Sequence, residues 1–332
     1  MKVVAPFARG LFAVVLMCAV AGQAAAGRIG FTELRIANGA DKPLVVGVWY
    51  PTDAPARPTP LELFSQTVAP GAAPSGQNLP LIVMSHGTGG SYGEHYDTAL
   101  ALAEAGFVVA AVAHTGDTHD DTSRNTRISD RPAQIHRLID YMLAEWPAHG
   151  RLDPNRIGMF GFSSGGFTTL VSIGGVPDLS VLPAHWRAHP DYFDSQLVKA
   201  AGIPTSIPNP PASTWIHDPR IKAAVVAAPA LGFTFGRDGL KNITVPIQLW
   251  RAEDDHILPN PDYAEAVRIA LPRPPEFHLV DGADHFDFLA PCSDALAQAA
   301  PQICASRPGF DRAAFHQRFN RDVVRFFEET LN

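Results

Sequence analysis

The chain has 332 residues, of which 46% are hydrophobic and 18% are charged. That composition is typical of a globular protein with one large core, and it excludes fibrous and disordered classes. A formal net charge of −7 argues against nucleic acid and anionic membrane surfaces as partners.

The N-terminus, residues 1–26, has the pattern of a signal peptide. Lys2 and Arg9 form a short basic region, and residues 11–21 are apolar but too few to span a bilayer. Residues 24–26 are three alanines, small enough for a signal peptidase. The sequence therefore predicts export to the periplasm or the medium, without stable membrane insertion.

Cysteine usage is consistent with export. Cleavage would remove Cys18 and leave Cys292 and Cys304 in a mature domain of residues 27–332. An even cysteine count in an exported protein favours a disulfide, and two free buried thiols are the alternative. The bridge would close a short loop and contribute about 3 kcal/mol in the chain-entropy model.

The first half of the chain predicts strands that alternate with helices. Residues 79–85 are wholly apolar, as expected for a buried strand of a parallel sheet. Apolar residues then recur at helical spacing up to Gly106, and again after Pro132. Residues 53–77 are rich in Pro, Ala and Ser and predict a surface connection. The other predicted strands of this half are residues 31–36, 44–50, 107–113 and 157–162.

The second half interrupts this alternation and then resumes it. Residues 176–219 are rich in proline and contain four aromatic residues: Trp186, Tyr192, Phe193 and Trp215. We predict a cap beside the active site, and a packed surface excursion is the alternative. Three more strands are expected at residues 221–228, 243–251 and 277–280, before a final helix. The pattern predicts an α/β fold, with a mostly parallel central sheet, helices on both faces and a cap-like insertion.

The motif with the clearest chemistry is Gly161-Phe162-Ser163-Ser164-Gly165, which fits G-x-S-x-G between a strand and a helix. A serine hydroxyl is a weak nucleophile unless it stands clear of the backbone beside a base. The tight turn exposes Ser163, and glycines at its two ends avoid Cβ clashes. A glycine-rich turn without activity is the alternative interpretation.

A base and an acid follow Ser163 in the chain order that this motif requires. Asp254 and Asp255 come directly after the strand 243–251, where side chains reach the ligand crevice of an open α/β sheet. His285 follows the last strand and can accept the serine proton. The acid would hold the imidazole in the required tautomer.

The mature chain resembles the α/β-hydrolase superfamily, and within it the group related to dienelactone hydrolase and platelet-activating factor acetylhydrolase. The resemblance lies in the G-x-S-x-G motif, Ser85-His86-Gly87-Thr88-Gly89, the strand after Gly106 and His285-Phe286. It implies that Ser163 is the nucleophile and His285 the base. It further implies an oxyanion hole made by the backbone N–H groups of Thr88 and Ser164.

Two features depart from that group. Dienelactone hydrolase uses a cysteine nucleophile, whereas this chain has serine, which favours ordinary ester hydrolysis. In the plasma-type acetylhydrolases the acid follows the sixth strand, but the corresponding strand here, which ends at Ala228, is followed by no carboxylate. The resemblance to the rest of the superfamily then implies an acid after Leu249, at Asp254 or Asp255. The common pattern of the superfamily has the acid four residues before a proline, and Pro259 then favours Asp255.

We therefore predict an exported serine hydrolase for a small-molecule or lipid-like carboxylic ester, with no cofactor and no metal. A peptidase or a cofactor-free haloperoxidase on the same fold, and a non-catalytic binding protein, are the alternatives. A second polar cluster could bind a divalent cation but lacks a fixed ligand spacing. Its members are His114, Asp117, His119, Asp120 and Asp121.

Overall fold

A sheet of ten strands runs through the part of the chain that the computed structural model describes, namely residue 1, residues 28–203 and residues 209–332. Apart from residue 1, the predicted signal peptide lies outside the described residues. The strands are β1 (Ile29–Asn38), β2 (Asp41–Pro51), β3 (Arg57–Leu61), β4 (Phe64–Pro70), β5 (Leu79–Ser85), β6 (Val108–Ala113), β7 (Leu152–Phe162), β8 (Ile221–Ala227), β9 (Ile247–Ala252) and β10 (Glu276–Val280).

The strand order is β10-β9-β8-β7-β5-β6-β2-β1-β4-β3. From β10 to β6 each strand is parallel to its neighbour, and β2 pairs antiparallel with both β6 and β1. Parallel strands bring the carboxyl ends of β5, β7, β9 and β10 to the same edge of the sheet, where ligands bind in open α/β sheets. The predicted mostly parallel α/β sheet is confirmed.

Helices cover both faces of the sheet. The described helices are α1 (Tyr96–Glu104), α2 (Arg131–Ala144), α3 (Ser164–Ser172), α4 (Leu182–Ala188), α5 (Phe193–Ala200), α6 (Arg237–Leu240), α7 (Ala264–Ala270), α8 (Asp294–Ala299), α9 (Pro301–Cys304) and α10 (Arg312–Thr330). Helices α2, α3 and α7 contribute to the core on one face, and α1 and α10 to the core on the other. Within the described residues, no helix is both long and apolar enough to cross a bilayer.

Strand β5 shows why its sequence is apolar from Leu79 to Met84. Leu81 and Val83 point into the core under α2 and α3, whereas Ile82 and Met84 point into the core under α1 and α10. Successive side chains of a strand lie on opposite faces, so a strand covered on both sides needs apolar residues throughout. The wholly apolar run therefore positions β5 at the centre of the sheet.

Residues 53–77 differ from the sequence prediction. They contain β3 and β4, an antiparallel hairpin at the edge of the sheet, rather than a connection without regular structure. The prolines Pro58 and Pro60 hid the strand signal, but an edge strand tolerates proline because one of its sides has no strand partner. Leu61 and Val68 anchor the hairpin, since both side chains are buried in the core.

The insertion at residues 176–219 contains α4 and α5. Its four aromatic side chains have different surroundings: Trp215 packs on Phe167 of α3 with ring centroids 5.9 Å apart, and Tyr192 stacks on His189 at 4.4 Å. Trp186 is buried and Phe193 is exposed. Trp215 is therefore part of the main core, and only part of this stretch is free to form a cap.

Cys292 and Cys304 form a disulfide, as the cysteine count predicted. The bridge encloses α8 and α9, which follow the turn at His285–Phe288. Arg312 joins these parts, because its guanidinium Nε donates to Asp287 Oδ1 at 3.0 Å and its Nη1 to the carbonyl of Ile303 at 3.0 Å. The segment closed by the bridge is thus tied to the turn that carries His285.

We expect the double variant Cys292→Ser, Cys304→Ser to lose about 3 kcal/mol of stability, because the unfolded chain regains the entropy that the bridge removes. Urea denaturation of the variant and the wild type measures this difference. Thiol titration of the denatured wild type should find no reactive thiol from this pair. An unchanged unfolding midpoint in the variant would contradict the expectation.

Candidate active site

Ser163 stands at the sharp turn between β7 and α3. Its backbone has φ 55° and ψ −117°, a left-handed φ that non-glycine residues rarely adopt. A Cβ at Gly161 would collide with the carbonyl oxygen of Gly165, and a Cβ at Gly165 would collide with that of Ser85. Both glycines are thus required by close backbone approach, which explains the spacing of the motif.

Hydrogen bonds from the neighbouring strand and helix hold this strained turn. The Ser163 N–H donates to the carbonyl of Ala227 at 3.0 Å. The Ser163 carbonyl accepts from the N–H groups of Phe167 at 3.1 Å and Ala230 at 2.9 Å. Strain of this kind persists only where the surroundings over-determine the backbone, and it concentrates at functional sites.

His285 and Asp255 form a buried pair at the same edge of the sheet. His285 Nδ1 lies 2.8 Å from Asp255 Oδ2, and the two residues are 2% and 8% exposed. The other carboxylate oxygen, Asp255 Oδ1, accepts from the N–H groups of Ile257 at 3.1 Å and Leu258 at 2.7 Å. The carboxylate is therefore fixed on both sides and can hold the His285 ring in one orientation.

Asp254, the other candidate acid, points elsewhere. Its carboxylate forms an ion pair with Arg307, and its side chain is about half exposed. Its backbone N–H donates to the carbonyl of Ala283 at 3.0 Å. Of the two adjacent aspartates, the structure brings only Asp255 into contact with His285.

The ring of His285 lies over the residue that precedes the serine. Its centroid is 4.7 Å from that of Phe162, which places the imidazole beside the turn that carries Ser163. Among the described residues, no hydrogen bond is recorded between Ser163 and His285 or at His285 Nε2. Within the described part of the chain, the nitrogen opposite Asp255 thus has no hydrogen-bond partner.

The two predicted oxyanion donors lie side by side. Thr88 Oγ1 and Ser164 Oγ are 2.5 Å apart, and both residues line one cavity together with Ser163. Ser164 is the first residue of α3, where backbone N–H groups have no partner within the helix. For Thr88, too, no acceptor of the backbone N–H is recorded in the described part of the chain. The residues expected to supply the two N–H donors therefore lie next to each other in the cavity that contains Ser163.

A buried ion pair holds the turn that carries Thr88. Arg131, only 2% exposed, donates to the carbonyls of His86 at 2.6 Å and Gly87 at 3.0 Å. Its Nη2 also lies 2.6 Å from Asp117 Oδ2, while Asp117 Oδ1 accepts from the Gly89 N–H at 2.8 Å. Arg131 and Asp117 together therefore bind three consecutive peptide groups around Thr88.

His86 and Glu94 complete this support. His86 Nε2 accepts from the His114 N–H at 2.9 Å, so its Nδ1 carries the proton and donates to the Gly87 carbonyl at 2.6 Å. Burial, and next the positive charge of Arg131, lower the pKa of His86 to about 4. Glu94 Oε1 accepts from the Gly87 N–H at 2.6 Å. Burial raises the pKa of Glu94, but hydrogen bonds and charges led by His95 outweigh it and lower that pKa overall.

The polar cluster that we weighed as a cation site is divided between other roles. Asp117 is paired with Arg131, and Asp121 with Lys42 at 2.8 Å. His114 bridges Ser85 and Gln134 with contacts of 2.8 Å on both sides, and Asp120 accepts from Thr118.

Sequence reasoning missed Arg131 altogether, because a buried arginine within a helix carries no local signal that would reveal its distant partners.

A cavity of about 160 Å³ opens at Ser163. Its walls are mostly apolar, and α4 and α5 contribute Leu182, Trp186, Phe193 and Leu197 to them. Two of the four aromatic residues that we singled out thus reach the site, whereas Tyr192 and Trp215 are absent from this lining. The insertion therefore forms one wall of the cavity beside the serine.

The geometry agrees with what comparisons with known proteins find. A family model described as platelet-activating factor acetylhydrolase, isoform II, matches residues 66–137. A solved structure of a ferulic acid esterase from Streptomyces cinnamoneus is similar, with a TM-score of 0.63 and 19% identity over 94% of this chain and 92% of that chain. A search of curated proteins finds no significant match.

These findings confirm the predicted fold. The chain has the fold of the α/β-hydrolase superfamily, and residues 66–137 resemble the platelet-activating factor acetylhydrolase group. The segment that matches the family model runs from within β4 into α2 and includes the turn that carries Thr88. Ser163, Asp255 and His285 lie beyond it, so their roles depend on the geometry described above.

Two buried histidines close to the turn that carries Thr88, His86 and His114, predict that the stability of the fold depends on pH. In the unfolded chain His86 has a pKa near 6.5, while in the fold it is about 4, and burial also lowers the pKa of His114. As pH falls from about 6.5 to about 4, the unfolded state binds protons that the folded state does not, so stability falls. Urea denaturation at several pH values within this range measures the slope.

His86→Asn should reduce the slope of unfolding free energy against pH by the equivalent of about one proton. One of the two histidines with a lowered pKa is then missing. The comparison uses slopes, so it holds even where the variant is less stable at every pH. A slope in His86→Asn equal to that of the wild type would contradict the assignment.

Proposed function

We propose that this protein is an exported serine esterase that hydrolyses carboxylic esters through Ser163, His285 and Asp255. The observation that carries the proposal is the buried 2.8 Å contact between His285 Nδ1 and Asp255 Oδ2, with the imidazole packed beside the strained turn at Ser163. A serine on a sharp turn, a free imidazole nitrogen and a fixed carboxylate form the arrangement that activates a hydroxyl.

The first half of the reaction transfers the acyl group to the enzyme. His285 Nε2 takes the proton of Ser163 while Oγ attacks the ester carbonyl, which forms a tetrahedral oxyanion. His285 then gives that proton to the leaving alcohol as the ester C–O bond breaks. Asp255 stays ionised and stabilises the imidazolium, and Ser163 is left acylated.

The second half regenerates the enzyme with water. His285 removes a proton from a water molecule, whose oxygen attacks the acyl carbon and forms a second tetrahedral oxyanion. The bond to Ser163 Oγ breaks, the oxygen recovers its proton from His285, and a carboxylic acid leaves. Every proton is returned within the cycle, so the residues present complete the chemistry.

The N–H groups of Thr88 and Ser164 would bind both oxyanions. Fixed backbone donors stabilise developing charge without reorganising during the reaction, and one such donor contributes on the order of 10²–10³ in rate. The contacts of Arg131, Asp117 and Glu94 with the peptide groups around Thr88 support this role, because they fix the turn before substrate arrives. We assign these three residues to positioning rather than to contact with substrate.

The cavity supports a substrate with a modest apolar acyl or aryl group. Its volume of about 160 Å³ and its lining by Trp186, Leu182 and Leu197 favour burial of apolar surface next to Ser163. Under this proposal the insertion at residues 176–219 acts as a cap that selects the acyl group. The fold neighbour is described as an esterase, which agrees with this reaction type.

Export is the remaining part of the proposal. The disulfide between Cys292 and Cys304 supports it, because such bonds persist in oxidising compartments. The basic and apolar pattern of residues 1–26 is the other support. N-terminal sequencing of the protein recovered outside the cytoplasm tests this part, and recovery of an intact Met1 there would contradict cleavage before Gly27.

Ser163→Ala should abolish covalent labelling by a fluorophosphonate probe and lower turnover of a nitrophenyl ester on the order of 10⁴-fold or more, since the nucleophile is removed. Activity assays and gel-based labelling measure both effects. Ser164→Ala is the matched control, because it keeps the backbone N–H and should still be labelled. Labelling of Ser163→Ala equal to that of the wild type would end the serine-esterase proposal, and an unlabelled wild type would favour a binding protein.

Asp255→Asn should keep the fold and lose turnover by up to about 10⁴-fold, because an amide at this position favours the wrong histidine tautomer. Asp254→Asn is the matched control and should retain nearly all of the rate, since Asp254 pairs with Arg307 on the surface. Steady-state kinetics of the two variants decide between the adjacent carboxylates. The opposite ranking would move the acid to Asp254.

A further inference from the structure

A second group of chemically versatile side chains lies away from the triad. His185, His189 and Asp262 place one potential ligand atom each within 4.8 Å of one another. His185 lies in α4, His189 follows one turn later at the end of that helix, and Asp262 lies in the segment between β9 and α7. The cluster therefore joins the insertion to the segment that follows Asp255.

The spacing within the cluster suits a bridging ion better than direct contact. His189 Nε2 and Asp262 Oδ2 are 3.8 Å apart, which is too long for a hydrogen bond. Ligands bound at about 2.0–2.2 Å around a tetrahedral zinc lie roughly 3.3–3.6 Å from each other. Small side-chain adjustments would bring the distance between His189 Nε2 and Asp262 Oδ2 into this range.

Two carboxylates, those of Asp262 and Asp194, lie at the cluster. Within the described residues, the only ion-pair partner recorded for Asp262 is His189. Asp194, just 8% exposed, is the second carboxylate here, and its Oδ2 has no hydrogen-bond partner while lying 3.9 Å from His185 Nε2. The other oxygen, Asp194 Oδ1, accepts from the Tyr263 hydroxyl, so one of the two buried carboxylate oxygens lacks a donor. A divalent cation at the cluster would bring positive charge close to both carboxylates.

The side chains are held in place by their neighbours. The His185 ring stacks on Phe233 with centroids 3.6 Å apart, and the His189 ring stacks on Tyr192 at 4.4 Å. The Tyr263 hydroxyl donates to Asp194 Oδ1 at 3.0 Å and lies 3.3 Å from His185 Nε2. Fixed rings and a hydrogen-bonded carboxylate are the outer support that metal-binding histidines usually have.

We propose that His185, His189 and Asp262 bind one zinc ion, with water as the fourth ligand. Two imidazoles with one carboxylate suit zinc, whereas calcium and magnesium prefer oxygen ligands alone. The site makes no use of Ser163 or His285, so it stands independently of the esterase proposal. Nothing in it assigns the ion a step in ester hydrolysis.

Such an ion would hold one wall of the cavity. His185 is adjacent to Trp186, and both belong to α4, which also carries Leu182 in the cavity lining. A zinc bound to Asp262 would fasten α4 to the segment after Asp255. Zinc binding should therefore stabilise the insertion against local opening, as any ligand that binds only the closed form does.

Full-length protein without a histidine tag, stripped with a chelator, is the material for the test. Titration with zinc chloride against a chromophoric competitor should show one equivalent bound per chain, and the melting temperature should rise by a few degrees. His189→Ala and Asp262→Asn should each weaken zinc binding by roughly tenfold or more and remove the thermal shift. Both positions are only half buried, so the folded state should survive.

His149→Ala is the matched control, because it removes a partly exposed histidine whose ring is bonded to the nearby carbonyl of Trp146. It should bind zinc like the wild type. Substitution of cobalt for zinc adds a second readout, because Co²⁺ in a tetrahedral site absorbs visible light. Absence of stoichiometric zinc binding in the wild type, or equal binding in His189→Ala and Asp262→Asn, would overturn the proposal.

Discussion

The close approach of α3 to the end of β5 is the constraint on which the site depends. Gly165 lies against the carbonyl of Ser85, with no space for a side chain between them. This contact brings the start of the helix, with Ser164, next to the turn that carries Thr88. Ser163, directly before that helix, has a left-handed backbone conformation. One close backbone contact thus brings the proposed nucleophile and the proposed oxyanion donors together.

Polar groups buried beneath this contact keep it in one geometry. Arg131 in α2 and Asp117 in the loop after β6 bind the peptide groups around Thr88. Glu94, in the segment before α1, binds the same turn. Burying charges costs free energy unless they are paired and hydrogen-bonded, and here each charge is used to hold peptide groups. These contacts fix the turn at Thr88, and under the proposed mechanism a preorganised turn is what an oxyanion hole requires.

The insertion connects the proposed esterase site to the proposed zinc site. Trp186 faces the cavity at Ser163, and its neighbour His185 faces Asp194 and Tyr263. One short helix, α4, therefore carries both the apolar wall of the cavity and the polar cluster that would fasten it. If zinc holds α4, then access to Ser163 and metal occupancy become linked through a single element.

The sequence alone predicted the parallel part of the sheet and the class of fold, because these depend on local periodicity. The G-x-S-x-G motif predicted the tight turn at Ser163, and motif order together with the family resemblance made His285 and Asp255 candidates. Sequence reasoning misjudged residues 53–77, where edge-strand prolines masked a hairpin. Only the tertiary structure revealed that Arg131 binds the turn around Thr88. It also revealed the cluster of His185, His189 and Asp262. Those contacts join residues that are distant along the chain, so no local pattern encodes them, and packing alone decides which side chains meet.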